Sequence, residues 1–196
     1  KESENIISVP FKSDNQYNLL VDLKIGKINV SNITVDYGFN NQLSLPKYIF
    51  KTLELHQVTD KVYTEIGFSQ TGIIGKHKKK EQLLTYVDTL YLKGLMFQNV
   101  EIKSGSSALI GTKLLSKYNV IIDWQNKLLH FSKNNTLGTS HKTFGLKAGY
   151  KEGQLYVQTV IQNSSAFKQK IYPTMKILKI DDLNFEGGST FCDYMN

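Results

Sequence analysis

The residue best placed to do chemistry is Asp36, in the run Ile33-Thr34-Val35-Asp36-Tyr37-Gly38. A carboxylate directly after a β-branched strand and just before a glycine can present its oxygens at a loop tip, where it takes or gives a proton. The same tripeptide also serves as an ordinary Asx-type turn closing a strand, so its surroundings decide between the two. Other chemistries find less support. The histidines His56, His77, His130 and His141 show no i, i+4 metal spacing. Ser107 and Ser165 lack a Gly-x-Ser-x-Gly elbow and an evident base. Cys192 is the single cysteine, which excludes an internal disulfide and a Cys-based zinc site; with no activating neighbours, it is expected to be buried. Neither a metal nor a cofactor is expected.

Short β segments must position Asp36. Residues 17–25 alternate (Leu19, Val21, Leu23, Ile25) until Gly26 breaks them, and residues 30–35 run straight into Asp36. Residues 61–68 and 83–92 predict two more strands. Between them lie Gly72, Gly75 and the basic run Lys76-His77-Lys78-Lys79-Lys80, which suits a long hairpin with a charged tip. Residues 100–102, 108–110, 120–123 and 128–131 complete an all-β pattern, with short helices expected at 46–53 and 113–117. Many short strands separated by turn signals mean a sandwich or a small barrel. A weak repeat runs through them. Leu23-Lys24-Ile25-Gly26 with Asn32-Ile33-Thr34-Val35 is echoed by Leu90-Tyr91-Leu92-Lys93-Gly94 with Asn99-Val100-Glu101-Ile102, which predicts a pseudo-twofold inside one lobe.

These segments resemble the retropepsin-like aspartic peptidases over about residues 6–133. Residues 33–38, with Leu43-Ser44-Leu45-Pro46 following, look like that family's active-site strand and loop. Gly72 and Gly75 fall at its flap. Ala108-Leu109-Ile110-Gly111-Thr112-Lys113-Leu114-Leu115 is similar to its second hydrophobic-hydrophobic-Gly element and short helix. Val120-Ile121-Ile122-Asp123-Trp124 and Leu129-His130-Phe131 match its closing strands. The resemblance implies a β lobe that supplies one catalytic aspartate, Asp36, from a loop that includes Tyr37 and Gly38. Two carboxylates about 3 Å apart cannot both ionise, so one acts as acid and the other as base. The partner aspartate would come from a homodimer or from a lobe N-terminal to Lys1, and the substrate would be a polypeptide. Asp123 belongs to the closing strands and is not the second aspartate. Tyr37 stands where the family has Thr or Ser, and its distant hydroxyl cannot repeat that compact brace. A catalytically silent peptide-binding module is the alternative reading.

Composition narrows the partners. The 196 residues carry a net charge of +7, and all 24 basic residues are lysine. Without arginine there is no bidentate fork for guanine or phosphate, so no nucleic-acid partner is expected. No apolar run approaches the ~20 residues of a membrane-spanning helix. Residues 1–5 lack the apolar core of a secretion signal, so any targeting segment is expected to have been removed.

The small, polar segment 135–141 reads as a linker after the lobe at 1–134. Beyond it the β pattern restarts, with strands expected at 155–161 and 175–180, a turn at Asp181-Asp182, and a short helix capped by Ser164. Phe144-Gly145-Leu146, Ser164-Ser165-Ala166 and Lys176-Ile177-Leu178-Lys179-Ile180 look like a PDZ domain of the bacterial arrangement at 142–196, C-terminally incomplete. The resemblance implies that Phe144, Gly145 and Leu146 bind the carboxylate of a peptide terminus while the peptide adds as a strand. Chains pairing such a lobe with a PDZ module resemble exported bacterial proteins, which sets the expectation for compartment.

Overall fold

The computed structural model describes residues 6–59, 61–69, 78–134, 144–151, 153–186 and 192. In chain order the elements are β1 (Ile7–Pro10), β2 (Lys12–Ser13), β3 (Leu19–Ile25), β4 (Ile28–Asp36), β5 (Leu43–Pro46) and α1 (Lys47–Leu55). There follow β6 (Val62–Ser69), β7 (Lys78–Leu92), β8 (Leu95–Gly105), β9 (Leu109–Gly111), α2 (Thr112–Leu115), β10 (Tyr118–Asp123) and β11 (Leu128–Lys133). The remainder are β12 (Leu146–Lys151), β13 (Gln154–Ile161), α3 (Ser165–Lys168), β14 (Lys179–Ile180) and β15 (Leu183–Asn184). The protein is mainly β, and among the described residues no helix is long and apolar enough to cross a membrane. The chain forms two compact units: residues 1–62 with 83–140, and residues 63–82 with 141–196.

In the first unit, alternation turns Leu19, Val21, Leu23 and Ile25 of β3 inward, and β3 pairs with β4 around the Gly26 turn. Gly26 takes φ +58°, a backbone conformation that side chains resist. The strands β3, β4, β9, β5, β8 and β7 close into a barrel, because β7 returns to pair with β3 at Lys24↔Tyr91 and Ile25↔Leu90. The echoed sequences occupy matching places. The β3–β4 and β7–β8 hairpins meet antiparallel, and β4 lies parallel to β9 as β5 lies parallel to β8. Asn32 and Asn99, matched in the echo, both adopt left-handed backbone, at φ 58° and 51°. The repeat is therefore structural.

The barrel is filled by fully buried side chains such as Ile25, Ile33, Leu43, Leu90 and Ile102, each worth about 1.5–3 kcal/mol on leaving water. Helix α1 begins after Pro46 and adds Ile49, Phe50 and Leu53, whose spacing puts them on one face. A separate antiparallel sheet, β1–β11–β10, contributes Val9, Leu129 and Phe131 to the same core.

The second unit has the strand order β12–β13–β6. Val157, Val160 and Ala166 form its core, with Ile66, Leu146, Phe167, Ile171 and Ile177 packed against them. Ser164 caps α3 by accepting from the Phe167 N–H at 3.3 Å, as its sequence position predicts. The strand expected over 175–180 forms only at Lys179–Ile180. Ahead of it, Thr174 to Ile177 run along β13 through single backbone bonds, such as Val157 N–H to the Met175 carbonyl at 2.8 Å. Thr174, at φ 78°, breaks the extended run. Cys192 is exposed, contrary to the expected burial, because the small apolar cluster of this unit closes without it.

Candidate active site and candidate peptide loop

Asp36 is the last residue of β4, and it stands in parallel register opposite Gly111, the last residue of β9. Strand β9 therefore separates β4 from β5, two strands consecutive in sequence, and the connecting loop 37–42 must pass the end of β9. That crossing is held by backbone. The Gly111 N–H donates to the Gln42 carbonyl at 2.9 Å, and the Thr112 N–H donates to the Phe39 carbonyl at 2.9 Å. The Thr112 hydroxyl adds a second donor to the same carbonyl at 3.2 Å. A Cβ on Gly111 would lie 2.2 Å from the Asn41 carbonyl oxygen and 2.3 Å from that of Phe39, so only glycine admits this approach. The Gln42 side chain ties the far end of the loop by accepting from the Glu101 N–H at 3.0 Å.

Within the loop, the Gly38 N–H donates to Asp36 Oδ1 at 2.8 Å, and the Phe39 N–H donates to the Asp36 carbonyl at 3.2 Å. Among the described residues, Oδ2 accepts no hydrogen bond. The carboxylate is thus fixed at one oxygen and half-buried, with the second oxygen available to a water or to another acid. Tyr37 is 48% exposed, and partial desolvation pushes its phenol above its ordinary value. Gly72 and Gly75 lie outside the described residues, as do Lys76 and His77; Lys79 and Lys80 are exposed on β7.

Two other polar groupings in the first unit have plain structural explanations. Asp123 ends β10 and accepts from the Asn126 backbone and side-chain amides at 2.9 and 2.7 Å. Those bonds, the side-chain one foremost, hold its carboxyl below the usual range. His130 bonds Ser8 Oγ through Nδ1 at 2.8 Å, and its Nε2 stands 3.8 Å from Asp123. An open cleft of about 420 Å³ is lined by β4 residues including Asn29 and Asn32, by Tyr48 and Thr52 of α1, and by Ser106 and Ser107; Asp36 is not among its walls.

In the second unit, Phe144, Gly145 and Leu146 lead into β12. Phe144 is exposed, and its carbonyl accepts from the Ala166 N–H at 3.1 Å. Gly145 takes φ +92°, and a Cβ there would fall 2.2 Å from the Ser164 Cβ. Its carbonyl accepts from the Ile161 N–H at 2.8 Å. Leu146 opens β12 opposite Val160. The sequence reading missed the contribution of Thr112, although its place directly after Leu109-Ile110-Gly111 was the available signal. It also missed that β6 pairs with β13, for which local sequence carries no signal.

No family model matches the chain, and no curated protein matches it. Among solved structures it is similar to a retropepsin-like aspartic protease from Rickettsia conorii, at 16% identity and a TM-score of 0.45, over 68% of this chain and 96% of that one.

Proposed function

We propose that the chain is an aspartic endopeptidase component in which Asp36 is one half of a shared-proton dyad. The observation carrying this reading is the geometry of Asp36 itself. It is a half-buried carboxylate pinned at Oδ1 by Gly38, on a loop clasped by Gly111 and Thr112. Such fixing is what a reacting group requires, since its orientation is set before substrate arrives. A second aspartate, supplied by another copy of the chain or by a lobe preceding Lys1, completes the dyad.

The ionised member takes a proton from a water between the two carboxyls. The water oxygen then bonds to the substrate carbon, while the protonated member donates to the carbonyl oxygen. The tetrahedral diol collapses when its C–N bond breaks; a hydroxyl proton returns to a carboxylate and the leaving amine takes a proton. Each carboxyl alternates as acid and base, so the rate profile is bell-shaped in pH. Cleavage of an unfolded protein substrate by the full-length protein, inhibited by a statine-type peptide, tests this. A profile with a single ionisation, or indifference to the inhibitor, contradicts it.

Tyr37 supports a second reading. With its side chain half-exposed, the brace that Thr or Ser would offer between two facing loops is missing, which suits a lobe retained for peptide binding alone. Under either reading, the loop of Phe144, Gly145 and Leu146 takes a peptide terminus, as a glycine in left-handed conformation at the start of an edge strand permits.

A further inference from the structure

We infer that a peptide terminus held at residues 144–146 governs the docking of strand β6; this rests on the peptide-binding reading of that loop. The connection runs through β13, which is occupied on both edges. On one edge, Leu146 and Lys147 of β12 face Val160 and Thr159. On the other, Ile161, Val160 and Thr159 face Glu65, Ile66 and Gly67 of β6. The Ile161 N–H donates to the Gly145 carbonyl and the next N–H, that of Gln162, donates to the Thr64 carbonyl, both at 2.8 Å. Two successive amides thus bind the peptide loop and β6.

Side chains repeat the connection. Leu146 from the loop and Ile66 from β6 pack against one apolar cluster with Val160. The Thr159 hydroxyl donates to Glu65 Oε1 at 2.8 Å, where Glu65 is buried. At Gly67 a Cβ would lie 2.3 Å from the Gln158 carbonyl oxygen, so the two backbones meet closer than any other residue allows. From Tyr63 onward, β6 belongs to the same compact unit as β12 and β13.

A ligand that needs the loop and β13 in register stabilises every strand sharing that register. Undocking β6 removes Ile66 from the cluster that supports Leu146, so loss of β6 docking also weakens the peptide site, as linkage requires.

The test is amide hydrogen exchange of residues 63–68 in the full-length protein. It is measured alone, with a pool of fluorescein-labelled decapeptides bearing free C-terminal carboxylates, and with the same pool amidated; anisotropy reports binding. The free-carboxylate pool is expected to slow exchange about fivefold or more, and the amidated pool to leave it unchanged. Ile66→Ala is expected to weaken peptide binding severalfold. Thr159→Val keeps the side-chain shape and removes the hydroxyl bond to Glu65; it is expected to reduce the protection about twofold and provides a reading if Ile66→Ala unfolds. Binding that leaves exchange at 63–68 unchanged overturns the coupling and leaves the peptide-loop reading standing. Failure of both pools to bind overturns that reading and the coupling with it.

Discussion

Asp36 and Gly111 end two parallel strands side by side, so the residue that carries the candidate chemistry is positioned by a residue with no side chain. The aspartate's loop passes the end of β9 only because Gly111 lets the carbonyls of Phe39 and Asn41 approach its backbone.

Gly111→Ala is therefore expected to cost about 2 kcal/mol or more, because the methyl group meets backbone carbonyls rather than a side chain that can rotate away. Thr112→Val, which removes the hydroxyl bond to Phe39 and keeps the N–H bond, is expected to cost about 1 kcal/mol. Urea unfolding followed by Trp124 fluorescence measures both. Trp124 is the single tryptophan and packs edge-on against Phe11 at 5.2 Å in the first unit. Equal, small losses would show that the clasp does not hold the loop.

Neighbouring aromatic residues of the α1 segment make a contrasting pair. Phe50 is fully buried, whereas Tyr48 is 69% exposed. Phe50→Ala is expected to lower stability by about 3–5 kcal/mol, and Tyr48→Ala to remain within about 0.5 kcal/mol. A large loss at Tyr48 in the same urea measurement would contradict the assigned face of the helix.

Two carboxylates contribute to the acid limb of stability. Asp14 is held below its ordinary value by the Asn18 side chain first and then by backbone amides, and Asp123 likewise by Asn126. Their folded values lie below the unfolded value of 3.8, so the contribution is complete above it and is lost as pH falls through the folded values. Asn18→Ala and Asn126→Ala are expected to narrow the difference between urea midpoints at about pH 6 and pH 3. An unaltered difference in both variants would assign acid sensitivity to other groups.

Much of the first unit was legible because its strands alternate cleanly. The β3 and β4 pattern, the Gly26 turn and the echo of Asn32 in Asn99 follow from residue types that the barrel requires at those places. Strand β1 was not legible, since Ile7–Pro10 ends in proline and gains its place only by pairing with β11. The tail misled in another way. Residues 175–180 have a strand-like composition, but after the left-handed Thr174 the backbones of Met175 and Ile177 bond singly to β13, and only Lys179–Ile180 pair as a strand, with β15. At the candidate site, Asp36 and Gly38 stand out locally. The Thr112 clasp and the β6–β13 pairing join residues far apart in sequence and depend on packing that no local pattern encodes.

The central claim, that Asp36 exchanges the proton in peptide hydrolysis, is tested most directly by comparing kcat/KM of the full-length protein with that of Asp36→Asn on one peptide substrate. The substitution keeps the side-chain shape and an oxygen able to accept from Gly38, so folding is expected to be unchanged by circular dichroism. The account predicts a loss of about a thousandfold or more, of the order seen when an acid–base group is removed. Equal kcat/KM in the two proteins would contradict it.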